Sequence, residues 1–361
     1  YLKVGIEMNS VNTIKNELDR NSALLVSGGP NRFYLTGFNS SAGYVLITKN
    51  YAYFLIDFRY YEKAFKIVKD CKVILSKNPF DEIKRLCEEN GVGNIYTETE
   101  SLSLADFKRF TARLKPLTVS ESDSFDNLLK NMRAVKSESE LEYIKQAQRL
   151  TDKTFSYILS RINTERTERE IMLDMEFYMR KLGSDGVSFD FIVVSGKNSS
   201  LPHGVPTDKR IERGDFVTMD FGAVVNGYRS DMTRTVAVGY IIDEQRLVYN
   251  TVLNAKAAAV SAVKSGAVCS DIDKIARDII NNAGFEGCFG HALGHSVGIE
   301  IHESPIFSPK CSETLKSGNV ITVEPGIYIE NKFGVRIEDM VFVTEDGCKD
   351  ITESPDELLI V

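Results

Sequence analysis

The stretch Phe216-Val-Thr-Met-Asp-Phe-Gly-Ala-Val-Val-Asn-Gly-Tyr-Arg-Ser-Asp231 sets two strand-like runs on either side of Asn226-Gly227. Asn-Gly between apolar runs is the strongest short-range signal for a type I′ hairpin. With a two-residue turn, Val225 pairs with Tyr228, Val224 with Arg229 and Ala223 with Ser230, so Gly222 falls opposite Asp231. Asp220, two residues before Gly222, shares its face and becomes a diagonal neighbour of Asp231, about 7–8 Å away between Cα atoms. Two aspartates alone could simply decorate a solvated hairpin face. Where they converge beside a glycine that leaves room, a cation between the like charges is the natural resolution, although for two aspartates alone the solvated face is the commoner outcome.

Outward from this hairpin, the second half of the chain alternates helix pairs with strands. Ser137 and Glu140 form an S-x-x-E capping box, opening a helix with apolar positions at Leu141, Ile144, Ala147, Phe155 and Ile158. Thr167 and Glu170 repeat the box for a helix that stops at Gly183. Strands are expected near 189–195, 216–224 and 228–238. Two further helices follow, one with Val248, Val252, Ala259 and Val263 on one face, the other capped by Ser270 and carrying Ile272, Ile275, Ala276 and Ile279. The tail returns to strands at 320–324, 326–330 and 334–343. Helix pairs followed twice by strands point to a pseudo-duplicated α+β domain, although no sequence repeat is visible.

The first part of the chain reads differently. Short apolar runs at 23–27, 43–48, 51–56, 71–75 and 94–96 alternate with amphipathic segments at 80–90 and 103–114, the pattern of an α/β layer. The 361 residues exceed a single core of roughly 100–200 residues, so two domains are expected, residues 1–125 and 126–361. With 44 basic and 51 acidic residues the net charge is −7, and no basic block could track a phosphate backbone, which argues against nucleic acid as a partner. No apolar run approaches the roughly 18 residues of a membrane span and the start lacks a signal-peptide series, so no membrane partner and a cytoplasmic location are expected. Cys71, Cys87, Cys269, Cys288, Cys311 and Cys348 show no ligand spacing and read as reduced, mostly buried thiols.

All four histidines lie in the second half: His203, His291, His295 and His302. One histidine is usually a bystander; three of them within twelve residues, among glycines, form a candidate site. The closing strands add Glu324, which ends an apolar run, and Arg336 with Glu338, which share a face by the i, i+2 rule and could form an ion pair. Taken together, carboxylates with one histidine suit paired Mn²⁺, Co²⁺, Fe²⁺ or Zn²⁺ rather than a thiolate zinc. Two such ions, about 3.5–4 Å apart, can bring the pKa of a held water down to about 7 and polarise a carbonyl. Hydrolysis is the chemistry implied.

The segments Met-Asp220-Phe-Gly, Ser-Asp231-Met-Thr-Arg-Thr, Gly-His295, Glu324-Pro-Gly and Arg336-Ile-Glu338-Asp resemble, in order, the metal series of the pita-bread metallopeptidases, in the aminopeptidase P and prolidase branch. Asn31-Arg-Phe-Tyr-Leu-Thr-Gly-Phe38 and Ile56-Asp57-Phe-Arg59-Tyr60 resemble the creatinase-type amino domain, which sets the chain apart from methionine aminopeptidase. The resemblance implies a creatinase-type α/β domain followed by an α+β pita-bread catalytic domain. It implies that Asp220 chelates one metal, Asp231 and Glu338 bridge two, and His295 and Glu324 complete the other, with manganese first among the ions. Glu324 would also carry the proton from the water to the leaving nitrogen. His203 and His302 would bind substrate and steady the oxyanion, with His291 and Arg336 in accessory substrate-binding positions and Arg336 orienting its neighbours.

The activity implied is removal of an N-terminal residue that precedes proline in short peptides, closer to Xaa-Pro aminopeptidase than to Xaa-Pro dipeptidase (prolidase). The amino domain implies a cap over the site and a homodimer. Proline itself is implied by the resemblance alone, since nothing in the ligand set selects it. Two other readings compete: a pita-bread binding module that has lost catalysis, which would be expected to lack ligands, and a creatinase-like C–N hydrolase, which does not retain the metal series.

Overall fold

The computed structural model describes residues 10–361, so the stretch read for a leader lies partly outside the described residues. The chain divides into two compact units, the first ending at Arg133 and the second running from Ala134 to Val361. The boundary expected at 125/126 falls inside the helix Asp123–Ala134, whose Phe125 and Leu129 pack in the core of the first unit. Among the described residues, no helix is long and apolar enough to cross a membrane.

In the first unit a six-stranded sheet runs in the spatial order Lys72–Leu75, Ala52–Ile56, Tyr44–Thr48, Ser22–Val26, Asn94–Thr97 and Thr118–Glu121. Tyr44–Thr48 is antiparallel to both its neighbours, and the other pairings are parallel. Alternation along Ser22–Val26 sends Leu24 and Val26 into one core with Val45 and Phe54, and Ala23 and Leu25 into another with Leu46 and Ile95. Both faces are covered, which is why these strands read as continuous apolar runs. The strand Thr118–Glu121 and the helices Gly29–Thr36 and Phe58–Ile67 go beyond the expected elements. Gly28-Gly29-Pro30 looks like a turn, yet proline in a first helical turn forfeits no hydrogen bond, and the helix starts there.

The second unit opens with both capping boxes in place: Ser137 and Thr167 accept from the N–H of Glu140 and Glu170, and those glutamates reach back to the cap backbone. The helices Glu138–Leu159 and Glu168–Lys181 pack on the three-stranded sheet Met232–Ala237, Phe216–Phe221, Ile192–Ser195 around Phe155, Ile171, Met175, Val193 and Met219. The arrangement recurs in the helices Asp243–Ala262 and Cys269–Ile280. These pack through Val252, Ala276, Phe307, Ile321 and Val341 on a five-stranded sheet that includes Gly294–Ser296, Val320–Val323 and Asp339–Val343. Ser270 does not cap its helix: the helix begins at Cys269 with Val268 at the cap position and no side-chain cap bond.

Two antiparallel registers carry the acidic residues to one place. Val224 pairs with Arg229 and Val225 with Tyr228, and beyond a short break Phe221 pairs with Met232, so the register passes through Gly222 opposite Asp231. Asn226 and Gly227 both have positive φ, 49° and 80°, as a type I′ turn requires. Residues 334–343, expected as one strand, form two, Phe333–Arg336 paired with Gly326–Ile329 and Asp339–Val343 paired with Val320–Val323. The chain changes sheets between them, yet Gly326 pairs with Arg336 and Val323 with Asp339, which sets Glu324 opposite Glu338.

Gly222 is the tightest point of this architecture, because a Cβ there would lie 1.9 Å from the carbonyl oxygen of Ser230. Gly222→Ala is expected to force the strands apart and cost more than about 2 kcal/mol, read as a fall in melting temperature. An unchanged melting temperature would contradict the register.

Candidate metal centre

Each acidic candidate reaches the centre from a strand end. Asp220 and Asp231 come from the Asn226-Gly227 hairpin, and Glu324 and Glu338 from the two points where paired chains change sheets. His295 comes from the short strand Gly294–Ser296, which pairs with Glu303–Phe307 on one side and Val320–Val323 on the other. Ligand atoms of Asp231, His295 and Glu338 all lie within 4.8 Å of one another. His295 Nε2 is 3.5 Å from Asp231 Oδ2 and 3.4 Å from Glu324 Oε1. These residues, with Asp220, line a cleft of about 850 Å³.

Neighbouring groups fix how each side chain faces the cleft. His295 Nδ1 lies 3.2 Å from the carbonyl of Ser296, an acceptor only, so Nδ1 is the donor and Nε2 is left with its lone pair toward Asp231 and Glu324. Thr322 Oγ1 accepts from His295 N–H at 3.0 Å and donates to Glu324 Oε1 at 3.1 Å. Thr233 Oγ1 donates to Glu338 Oε2 at 2.7 Å. Behind Glu338, the buried Arg234 donates to the Glu338 carbonyl at 2.5 Å, to Asp339 Oδ1 at 2.6 Å and to the carbonyls of Ser354 and Pro355, tying the ligand strand to the C-terminal segment.

Arg336 pairs with Asp220, not with Glu338 as the shared strand face suggested: Nη2 donates to Asp220 Oδ2 at 2.6 Å. Its Nη1 donates to Tyr328 Oη at 2.7 Å and to the Pro202 carbonyl at 3.2 Å, and Nε to Thr233 Oγ1 at 3.0 Å. Tyr328 Oη also lies 2.9 Å from His291 Nε2, and His291 Nδ1 lies 2.8 Å from the Ala292 carbonyl. Nδ1 therefore donates to the carbonyl and the phenol donates to Nε2. His291 thus reaches the centre through Tyr328 and Arg336. Tyr328, Thr233 and Thr322 lie outside the residues read from the sequence. A signal for Tyr328 exists, because Glu324, Gly326 and Tyr328 alternate onto one face.

The electrostatics are those of a site built for cations. Four carboxylates face the neutral His295 ring and the single guanidinium of Arg336, which leaves three negative charges uncompensated. Burial, with Glu338 and Asp220 beside it, raises the Asp231 carboxyl well above the usual range. Burial followed by Glu324 does the same for Glu338, and burial with Asp220 raises Glu324 to about 8 against the opposing pull of Arg336. Burial and the neighbouring His302 lower His295 to about 4. Asp220 Oδ1, Asp231 Oδ1 and Glu338 Oε1 are buried with no hydrogen-bond partner. Buried carboxylate oxygens are normally paired, so three orphans converging with an imidazole lone pair fit divalent metal ions, and Asp220, Asp231, His295, Glu324 and Glu338 are the residues that could hold them.

His302 and His203 line the same cleft from exposed positions. The His302 ring stands edge-on to His295, with centroids 4.4 Å apart, and burial together with His203 lowers its pKa. Above them the wall is apolar, with Val187, Phe191, Ile192, Ile301 and Ile306.

Comparison with known proteins identifies the family and the fold. Residues 142–345 match the model of metallopeptidase family M24, and residues 16–135 that of the creatinase/prolidase N-terminal domain. An Xaa-Pro dipeptidase of Pyrococcus furiosus is 38% identical over 346 residues, covering 96% of either chain. Among solved structures, an Xaa-Pro dipeptidase from Bacillus anthracis superposes with a TM-score of 0.94 at 38% identity, covering 98% of this chain and 99% of that one. An X-Pro aminopeptidase from Thermotoga maritima gives 0.90 at 36% identity, covering 96% and 99%. The chain belongs to metallopeptidase family M24, with a creatinase-type N-terminal domain and a pita-bread catalytic domain.

The charge balance sets a pH dependence for protein stripped of metal. Asp231, Glu324 and Glu338, whose folded values are raised, favour the fold while protonated and cease to do so as pH rises through those values. His291 and His295, both lowered to about 4 from 6.5, make stability rise with pH only up to about 6.5. Between about pH 6.5 and 8 the carboxylates alone decide the sign. The metal-free protein is expected to lose melting temperature across that window and the metal-loaded protein to hold it. Parallel slopes in calorimetry would contradict the assignment.

Proposed function

We propose, from membership of metallopeptidase family M24, that this chain binds two divalent ions through Asp220, Asp231, His295, Glu324 and Glu338 and hydrolyses the bond between an N-terminal residue and a following proline. Manganese is the first candidate, with cobalt, zinc and iron as alternatives. The observation that carries the reading is the set of three orphaned, buried carboxylate oxygens at the floor of the cleft. One divalent ion would leave the group one charge negative, whereas two overcome the repulsion among its carboxylates. A module without catalysis has no need to retain such a centre.

When bound, the ions supply an activated water and a polarised scissile carbonyl. The chain's own groups do the rest. Glu324, oriented by Thr322, takes a proton from the attacking water as a carboxylate and delivers it to the proline nitrogen as the C–N bond breaks. His302 and His203 face the cleft where the tetrahedral oxyanion develops and donate hydrogen bonds to it. Arg336 holds Asp220 and, through Tyr328, sets His291 at the cleft wall. The apolar wall suits a pyrrolidine ring, which brings no N–H to satisfy. The Xaa-Pro descriptions of the relatives support proline as the second residue.

Substrate length separates two readings. Arg336 is the one Lys or Arg side chain among the described residues lining the cleft, and its nitrogens are taken up by Asp220, Thr233, Tyr328 and the Pro202 carbonyl. A carboxylate directly on the proline then meets no free guanidinium, which favours peptides that continue beyond proline, as in an aminopeptidase. The dipeptidase reading is favoured by the descriptions of the Pyrococcus furiosus and Bacillus anthracis relatives. Phe58 and Phe65, seven residues apart on one helix face, are 81% and 65% exposed and support a homodimer through the first unit.

Protein loaded with Mn²⁺ is expected to cleave Ala-Pro-Ala faster than Ala-Pro and to lose both activities on chelation. Loaded protein inert on both would contradict the function, and a preference for Ala-Pro would move it to the dipeptidase reading. Asp231→Asn is expected to lower metal content and reduce turnover about a hundredfold or more. Near-normal turnover would remove Asp231 from the centre.

A further inference from the structure

Among the buried carboxylates outside the metal centre, one is unusually well provided with donors. Glu168, in the first turn of the helix Glu168–Lys181, has 0% relative exposure. It accepts from Ser195 N–H at 2.7 Å and O–H at 2.9 Å, and from Thr207 N–H at 3.0 Å and O–H at 2.7 Å. Asn198 Nδ2 adds contacts of 3.1 and 3.3 Å to its two oxygens. These donors come from both ends and the interior of the stretch 195–207. The backbone joins the same places, with Glu168 N–H donating to Lys209 O at 3.1 Å and Arg169 N–H to Thr207 O at 3.0 Å.

Between its two fastened ends the chain makes the short helix Gly196–Ser200 and then presents Leu201-Pro202-His203-Gly204. Its flank is tied to the strand Phe333–Arg336, where Gly334 N–H donates to Ser199 Oγ at 2.9 Å and Arg336 Nη1 to the Pro202 carbonyl. The tip carries His203 into the cleft. A buried carboxylate is tolerable only when its lone pairs are taken up, and here those partners belong almost wholly to this one loop. Only an acceptor-only group meets these donors; an amide would turn an N–H₂ toward some of them.

We propose that Glu168 is a positioning residue for catalysis: by gathering both ends of the 195–207 loop onto one carboxylate, it sets His203 where the oxyanion forms. The inference rests on the proposed hydrolysis and on the place of His203 in it. Removing the anchor lets the tip wander while the metal centre stays whole. A displacement on the order of an ångström at a group that contacts the reacting atoms costs up to about a hundredfold in rate.

The test is a cycle of Glu168→Gln and His203→Ala on the metal-loaded protein, with metal content measured and amide exchange followed in residues 196–206. Glu168→Gln is expected to lower kcat and kcat/KM for Ala-Pro-Ala together, by about ten- to hundredfold. In the His203→Ala background it should cost less than about threefold, with metal content unchanged and exchange in the loop accelerated. Equal losses in both backgrounds, loss of metal, or unchanged exchange would overturn the proposal. If Glu168→Gln does not fold, Thr207→Val removes one donor hydroxyl from an exposed residue. A smaller loss that vanishes without His203 supports the proposal, and a loss indifferent to His203 overturns it. If the wild type cleaves no Xaa-Pro substrate, the hydrolysis reading fails separately, and loop exchange alone then decides the anchor.

Discussion

Buried Asp220, Asp231 and Glu338 converge with half-buried Glu324, and among the described residues their mutual repulsion is offset by Arg336 and the polar groups of Thr233 and Thr322. Burying an uncompensated charge costs several kcal/mol, so no sequence would hold such a group for stability alone. The surrounding fold keeps it together. Two antiparallel registers bring the acids into line, and the buried Arg234 binds the Glu338 backbone and Asp339 while reaching the C-terminal segment at Ser354 and Pro355. Lys256 takes the second oxygen of Asp339 and also meets Asp356, so behind the centre two cations face two carboxylates, whereas the charges in the centre are unbalanced.

This imbalance explains the division of labour around the cleft. Groups behind the ligands are paired, whereas the floor keeps three oxygens without partners and the imidazole of His295 neutral. Among the described residues, His203 and His302 at the rim hold no comparable network of their own. His302 stands against the His295 ring, and His203 rides on a loop whose order is set from Glu168 at its base. A floor braced from behind and a separately anchored rim are what a hydrolytic site needs if one part holds ions and the other meets the changing charge on the substrate.

Local rules made part of this legible in the sequence. The capping boxes at Ser137 and Thr167 and the Asn226-Gly227 turn depend on residues a few positions apart, and all three stand as read. The Glu324 and Glu338 pairing could not be read the same way, because the connection between their strands has no two-residue turn to fix the count and each chain changes sheets at the glutamate. The Arg336 partner went astray for a related reason: strand alternation gives a face but not which neighbouring sheet that face meets, and here it meets Asp220. Ser270 fails as a cap because tertiary hydrogen bonds from Cys269 and Ser270 to residues 311 and 313 fix that helix end instead. Tyr328 lay in plain view as an alternating residue, but its role depends on His291 and Arg336, which are distant in sequence.

The central claim is that the orphaned oxygens exist to hold a pair of divalent ions. Crystals grown with Mn²⁺ and measured at the manganese absorption edge test it most directly. Two anomalous peaks per chain are expected among the carboxylates of Asp220, Asp231, Glu324 and Glu338 and His295 Nε2. An ordered structure with these side chains in place and no anomalous peak among them would contradict the account.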